Sequence, residues 1–207
     1  MEEQEQVVII NNIQPPQIQQ SHRTITMVGD LDEKLSSEIM SGLIYLRDNG
    51  TSEVLVAPDD PESIETKEVK LPIELVISTF GGSTPEMFGV YDLVRSLRED
   101  HTVTTFGLGK VMSAGVLLLA SGTRGERKVG RSCRLMIHAI SASVAGTVQD
   151  METEIKEIKW IQDTYAAALA KETKLTVKKI QKMFSTGEDI YLSAEEAVKF
   201  GIADKIV

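Results

Sequence analysis

Two residues of this chain, Ser113 and His138, have the types and the settings that acyl-transfer chemistry requires. Ser113 lies among small residues in the segment GKVMSAG (109–115), and the apolar run VLLLA follows it directly. A serine hydroxyl is a poor nucleophile unless a base removes its proton. His138 closes the apolar run 135–137, so a strand could hold its imidazole rigidly. The pair predicts a serine nucleophile and a histidine base.

Each of the two residues also has a more ordinary interpretation. Ser113 at a helix start is typical of a capping residue, and on local pattern alone the cap is favoured. His138 alone would more often be a structural histidine. The chain has only three histidines; His22 lies in a polar leader, and His101 follows charged residues in a turn that we expect to be solvated. His138 is therefore the best candidate for a base.

Backbone N–H groups could complete such a site. Gly81-Gly82 follows an apolar strand candidate, and bare backbone there could offer the N–H of Gly82 to an oxyanion. The N–H of Ala114, at the start of a helix, has no partner within that helix. Together the two donors would form an oxyanion hole.

The acid that would orient the histidine is not fixed by spacing. Asp189 precedes the apolar patch 190–192, which could bury it, whereas Asp150 is equally typical of an acid in the first turn of a helix. Both residues stay candidates on this evidence.

Hydrophobic periodicity supplies the elements that must position these residues. Strands alternating with helices predict an α/β fold with a largely parallel sheet. The predicted strands are 23–28, 73–78, 103–106, 134–137 and 202–207. The predicted helices begin at Leu35, before Met87 and at Ser113, and span 149–171, 177–184 and 194–200. Residues 57–67, acidic and with two prolines, predict a surface loop or insertion.

Composition restricts the classes of function. The chain has 207 residues, a net charge of −9 and a single cysteine, Cys133. The negative charge argues against nucleic acid or a membrane surface as partner. No signal-peptide pattern or membrane-length apolar run is present, and an internal disulfide is impossible, so we expect a cytoplasmic protein in which Cys133 is a small core residue. The Gln-rich residues 1–22 predict an N-terminal arm before one domain, 23–207.

At these residues the chain resembles the proteolytic subunit of the Clp protease, the ClpP family of serine peptidases. The resemblance runs from about Arg23 to the C-terminus and is carried by segments in a fixed order. They are ISTFGG (77–82), YD (91–92), GKVMSAG (109–115), RLMIH (134–138), DIYLSAEEA (189–197) and GIAD (201–204).

The resemblance implies roles for the candidate residues. Ser113 matches the nucleophile, His138 the general base and Asp189 the orienting acid, while Gly82 and Ala114 match the oxyanion donors. It therefore selects Asp189 over Asp150. The implied activity is that of a serine endopeptidase acting on unfolded proteins, with no cofactor or metal in this chain.

The resemblance also implies a crotonase-like spiral fold and an assembly. The helix 149–171 would form a protruding handle along which two stacked heptameric rings interlock, and 141–147 would pair with substrate peptide. A Clp-type AAA+ ATPase unfoldase would use the ATP.

Departures from the family pattern predict a divergent member. Phe80 stands where the family usually has a proline, and the leader lacks the family's usual N-terminal motif. They motivate an alternative, a non-catalytic or modulatory subunit of a mixed ring. A third hypothesis is an acyl-CoA enzyme on the same fold class, which would need the backbone donors but no serine–histidine pair.

Overall fold

A computed structural model describes residues 22–56 and 64–207. The predicted N-terminal arm lies outside this part of the chain except for His22, and so does most of the predicted loop 57–67. The division into an arm and one domain stays a prediction.

The described part of the chain contains nine strands and six helices. The strands are β1 (Thr24–Val28), β2 (Thr51–Leu55), β3 (Thr66–Lys70), β4 (Ile73–Thr79), β5 (Val103–Met112), β6 (Arg127–Val129), β7 (Arg134–Ile137), β8 (Ile190–Leu192) and β9 (Lys205–Ile206). The helices are α1 (Glu33–Asp48), α2 (Thr84–Leu97), α3 (Ala114–Ala120), α4 (Val148–Glu172), α5 (Val177–Ser185) and α6 (Ala194–Phe200).

The main sheet is mostly parallel, which confirms the predicted α/β class. Its strands run in the order β1-β4-β5-β6-β9, and β7 pairs with the far end of β5. Within this sheet only β8 runs antiparallel, against β7. Strand β5 can serve three neighbours because its first part pairs with β6 and its last part with β7. The end of β5 is therefore held between β4 and β7.

The core packs against β4 and β5. Every second residue of β4 is buried, as expected for a strand with one face on the core. Helix α3 is buried all round, which explains why its sequence AGVLLLA has no polar face. Each leucine of such a helix contributes about 1.5–3 kcal/mol through burial. This helix is thus a fixed element directly after Ser113.

The long helix is confirmed, but most of its predicted apolar face is not buried within this chain. A capping box between Thr147 and Asp150 starts α4. Burial is confined to its C-terminal part, at Tyr165, Ala166, Leu169 and Glu172. Toward its N-terminus Val148, Ile155 and Trp160 are 42–62% exposed. The first turns of α4 therefore extend away from the core, as a handle would.

Several predicted boundaries were wrong, each for a local reason. Strand β5 does not end at Phe106 but continues through Met112, because β4 and β7 pair with the glycine-containing stretch that follows Phe106. The last strand is only Lys205–Ile206. Residues 66 and 67 belong to β3, which pairs with the unpredicted β2 as an exposed antiparallel hairpin. The short strands β6 and β8 were also missed.

A buried ionic cluster connects the C-terminal end of α4 to α2 and β6. Glu172, 2% exposed, accepts hydrogen bonds from Arg98 Nη1 (3.0 Å) and Tyr91 Oη (3.0 Å). Arg127 donates to the Glu172 carbonyl (2.7 Å) and binds both carboxylate oxygens of Asp204. These bonds fix the end of α4 that packs on the core.

Within residues 22–56 and 64–207, no helix is both long enough and apolar enough to cross a membrane.

Replacing Glu172 by Ala should destabilise the fold strongly. The change leaves Arg98 and the Tyr91 hydroxyl without their shared partner, and breaking a buried ion pair costs about 3–5 kcal/mol. Urea denaturation should show this loss for Glu172→Ala, while Glu157→Ala on the exposed face of α4 changes stability by less than about 0.5 kcal/mol. Equal effects of the two variants would contradict the role of the cluster.

Candidate active site

The register of two parallel strands brings Ser113 and His138 together. Met112 pairs with Met136 in the β5–β7 ladder, so Ser113 leaves the end of β5 and His138 leaves the end of β7 on the same edge of the sheet. The distance between His138 Nε2 and Ser113 Oγ is 2.8 Å. That is a hydrogen bond of the length expected between a base and a nucleophile.

Ser113 has a backbone conformation that residues other than glycine rarely adopt. Its φ is 53° and its ψ −119°, and it is the non-glycine residue with positive φ in the described part of the chain. Such a conformation costs on the order of 1–3 kcal/mol. The side chain makes no capping hydrogen bond to α3. The interpretation of Ser113 as a simple helix cap is therefore wrong, because its hydroxyl turns to His138 instead.

Three hydrogen bonds hold the Ser113 backbone in this conformation. Its N–H donates to the Met136 carbonyl at 2.8 Å. Its carbonyl accepts from the Val116 N–H at 3.0 Å and from the Tyr165 hydroxyl at 3.2 Å. Strand β7, helix α3 and helix α4 thus each contact the same residue.

The Gly81-Gly82 turn fits closely against the site. Thr79 Oγ1 accepts from the Gly81 N–H (2.9 Å) and donates to the Gly29 carbonyl (2.5 Å). A Cβ on Gly81 would lie 2.6 Å from Ser113 Cβ, and one on Gly82 would lie 2.2 Å from the Leu31 carbonyl oxygen. Both glycines also have positive φ, 115° and 147°. Glycine is required at both positions, because a side chain would clash with neighbouring atoms and because the backbone has a positive φ.

An open cleft lies beside Ser113 and His138, and Gly82, one of the two candidate donor residues, lines it. A cleft of about 240 Å³ is lined by Phe80, Gly82, Thr84, Ser113, His138, Ile140 and Ser141. Ala114 is the first residue of α3, so its N–H has no partner in that helix. Phe80, 60% exposed, packs under the Lys110 ammonium, 4.6 Å from the ring centroid. The lining of the cleft therefore combines hydrogen-bonding groups with one aromatic side chain, that of Phe80.

Asp189 lies beside His138 but is not hydrogen-bonded to it. Ile137 pairs with Ile190 in the antiparallel β7–β8 ladder, so His138 and Asp189 face each other one step further on. The distance from His138 Nδ1 to Asp189 Oδ1 is 3.9 Å, and the Asp189 side chain is 50% exposed. The expectation that the patch 190–192 buries Asp189 was wrong, because Asp189 precedes β8 at its exposed end.

Asp150 takes part in capping the N-terminus of α4. Its Oδ2 accepts from the N–H (3.0 Å) and the Oγ1 (2.7 Å) of Thr147. These bonds hold the pKa of its carboxyl below its ordinary value. Asp150 is therefore a capping residue, as one of its two sequence interpretations had it.

Sequence reasoning assigned no function to Tyr165 and expected His101 to be solvated. Tyr165 lies within the predicted long helix 149–171, and hydrophobic periodicity does not indicate a hydroxyl aimed at Ser113. His101 is 4% exposed, and its Nδ1 lies 3.0 Å from the Leu71 carbonyl. It was misplaced because the charged residues before it suggested a solvated turn.

Cys133 is a core residue, as predicted. It is 2% exposed, and burial raises the pKa of its thiol to about 11. In the described ranges, no group of three His, Cys, Asp or Glu side chains is placed to hold a metal ion. The absence of a cofactor stays a prediction.

Fold and site together define the class of protein: an α/β protein with a mostly parallel sheet and a serine–histidine pair at adjacent strand ends. A model of the family described as Clp protease matches residues 63–207, which is more than half of the chain. The chain belongs to this family, and its fold is consistent with the crotonase-like class that the resemblance implied.

A curated relative shows how divergent the chain is. It is 29% identical over 187 residues to the ATP-dependent Clp protease proteolytic subunit 4 of Rhodococcus jostii (strain RHA1). The match covers 90% of this chain and 85% of the relative. The predicted divergent member of the ClpP family is thereby confirmed.

Adding one methyl group at Gly81 should disable Ser113. The new Cβ would meet Ser113 Cβ at 2.6 Å, and a displacement of about 1 Å in a reacting group can cost 10²-fold in rate. The rate of adduct formation with a fluorophosphonate, followed by intact mass, should fall by about that factor in Gly81→Ala.

The matched control is Gly125→Ala. Gly125 also has a positive φ, 90°, but a Cβ there meets nothing within 4 Å. It has similar backbone strain without the clash, so it should label at the wild-type rate. Equal labelling of all three proteins would contradict the close fit of Gly81 against Ser113.

Proposed function

We propose that the chain is a serine endopeptidase subunit with Ser113 as nucleophile, His138 as general base and Asp189 as the orienting acid. The observation that carries the proposal is the 2.8 Å contact between Ser113 Oγ and His138 Nε2. Its support is that Ser113 keeps an unfavourable backbone conformation in which its hydroxyl reaches the histidine and the cleft rather than its own helix.

The proposed reaction follows the logic of a serine–histidine–aspartate triad. His138 Nε2 takes the proton from Ser113 Oγ as the oxygen attacks the substrate carbonyl. The N–H groups of Gly82 and Ala114 hold the resulting oxyanion. His138 then gives the proton to the leaving amine, and a water molecule, deprotonated by His138, releases the acyl group from Ser113.

Asp189 contributes as a nearby charge in the arrangement found here. At 3.9 Å its carboxylate favours the imidazolium that forms when His138 takes the proton. A hydrogen bond to His138 Nδ1 would require an approach of about 1 Å. We propose that this approach accompanies catalysis.

We also propose the assembly in which this site works. The relative's name describes a proteolytic subunit of an ATP-dependent protease. By analogy the chain would form two stacked heptameric rings in the cytoplasm, and a Clp-type AAA+ ATPase would unfold protein substrates and use the ATP. The exposed apolar residues Val148, Ile155 and Trp160 on α4 support a contact between copies there.

The exposed peptide segment beside the cleft supports a peptide substrate. Residues 139–147 form no strand, and 141–143 are exposed. The backbone of 141–143 could pair with an extended peptide, a mode in which main-chain hydrogen bonds supply the affinity. This exposure supports the proposed role of 141–147.

A second candidate function is a non-catalytic or modulatory subunit of a mixed ring. The observation that favours it is the separation and exposure of Asp189, which leaves His138 without a hydrogen-bonded carboxylate. Peptidase activity of the homogeneous chain distinguishes the two proposals.

Removing the hydroxyl of Ser113 should abolish peptide cleavage. Ser113→Ala deletes the nucleophile, and in a serine–histidine–aspartate enzyme such a loss costs on the order of 10⁶ in kcat. The assay is hydrolysis of a short fluorogenic peptide by purified particles whose rings are checked by electron microscopy. Ser132→Ala, in an exposed turn, is the control and should cleave normally. Undiminished hydrolysis by Ser113→Ala would contradict the proposal.

Neutralising Asp189 tests the third member of the triad. Asp189→Asn keeps the size of the side chain but removes its charge, and the corresponding change in a serine protease lowers kcat by about 10⁴. Because the contact is long and exposed, we expect a loss of about 10²–10⁴. Glu188→Gln, its exposed neighbour, is the matched control. Equal kcat in both variants would show that Asp189 has no catalytic part.

A further inference from the structure

One hydrogen bond connects the long helix directly to the nucleophile residue. The hydroxyl of Tyr165 on α4 donates to the carbonyl of Ser113 at 3.2 Å. Tyr165 is 3% exposed, and its ring stacks on Phe184 with centroids 5.9 Å apart. The phenol is therefore fixed by packing, and burial raises its pKa, so it stays protonated and able to donate.

The carbonyl that Tyr165 holds belongs to the same peptide unit as the Ala114 N–H. A peptide bond is planar, and in the trans form its C=O and N–H point in opposite directions. This chain has no cis peptide bond in its described part. Fixing the direction of the Ser113 carbonyl therefore fixes the direction of the Ala114 N–H, one of the two proposed oxyanion donors.

The Ser113 carbonyl accepts hydrogen bonds from two donors. The Val116 N–H, at 3.0 Å, belongs to the first turn of α3, while the Tyr165 hydroxyl reaches the same carbonyl from a different helix at 3.2 Å. Because ψ of Ser113 is −119°, far from helical values, the helix alone does not determine how this peptide plane is turned. A second, independent donor restricts the rotation that remains.

We propose that Tyr165 is a positioning residue that aims the Ala114 N–H at the oxyanion of the proposed peptidase. It touches neither the substrate nor the reacting atoms. The inference rests on the proposed function, since an oxyanion arises only if Ser113 attacks a carbonyl. The alternative is a purely structural role, in which the Ser113 carbonyl only provides the hydrogen-bond partner that a buried tyrosine hydroxyl usually has.

The chain offers a closely matched pair of variants for the test. Tyr165→Phe removes the hydroxyl at Ser113. Tyr91→Phe removes an equally buried hydroxyl that donates to Glu172 Oε1 at 3.0 Å, away from the cleft. Both variants lose a buried hydroxyl, and that of Tyr91 also accepts a longer hydrogen bond from Arg95 Nη1 (3.4 Å), so both should unfold at lower urea concentration. Only Tyr165→Phe should change catalysis.

The informative readouts are those that depend on the oxyanion. Loss of a whole oxyanion donor lowers kcat by about 10²–10³; misdirection of one donor should lower kcat by about tenfold, with KM for a short peptide unchanged. The inhibition constant of a peptide boronate, whose tetrahedral adduct places an oxygen in the oxyanion hole, should rise by the same factor. In Tyr91→Phe both quantities should equal the wild-type values.

Unchanged kcat and boronate binding in Tyr165→Phe, beside a loss of stability like that of Tyr91→Phe, would overturn the inference. Amide hydrogen exchange over 110–117 gives a second readout that needs no activity: it should accelerate in Tyr165→Phe alone. Unchanged exchange there would likewise overturn the inference. Failure of the wild-type protein to react with a fluorophosphonate at Ser113 would instead remove the proposed function, and exchange would still decide whether Tyr165 orders this peptide.

Discussion

The structure depends on one constraint, the sharp change of backbone direction at Ser113. Strand β5 ends at Met112 and α3 begins at Ala114, so a single residue joins a strand to a helix with a positive φ. Such strain persists only where the surroundings over-determine it. Hydrogen bonds from β7, α3 and α4 supply that determination, and the fully buried α3 prevents the strain from relaxing into the helix.

The same constraint explains why small residues surround the site. Because Ser113 is held between β5 and α3, the neighbouring segments must approach its backbone closely. Gly81 leaves room for Ser113 Cβ, and Gly115 lies where a Cβ would meet Thr79 Cγ2 at 2.6 Å. Thr79 in turn anchors the Gly81-Gly82 turn. Packing of α3 on β4 and the shape of the Gly81-Gly82 turn are therefore parts of one arrangement.

Helix α4 connects that arrangement to a surface that this chain leaves uncovered. Its C-terminal part is fixed by the Glu172 cluster and by Tyr165, whereas its N-terminal part exposes Val148, Ile155 and Trp160. One helix thus has a part that packs in the core beside Ser113 and a part whose apolar side chains are exposed. If rings form as proposed, contacts on α4 and the geometry of the site are not independent.

The sequence alone determined the fold class, the long helix, the buried α3 and the identity of Ser113, His138, Gly82 and Ala114 as candidates, because hydrophobic periodicity and residue order carry that information. Local pattern did not separate a cap from a nucleophile at Ser113, since both begin a helix with a serine, and only the resemblance selected the nucleophile. The contacts of these side chains depend on strand register: β5–β7 pairing places Ser113 against His138, and β7–β8 pairing places Asp189 opposite His138 but in solvent. Tyr165 was invisible for the same reason, because a hydroxyl acquires its role from a partner 52 residues away, and such contacts exist only once the chain has folded.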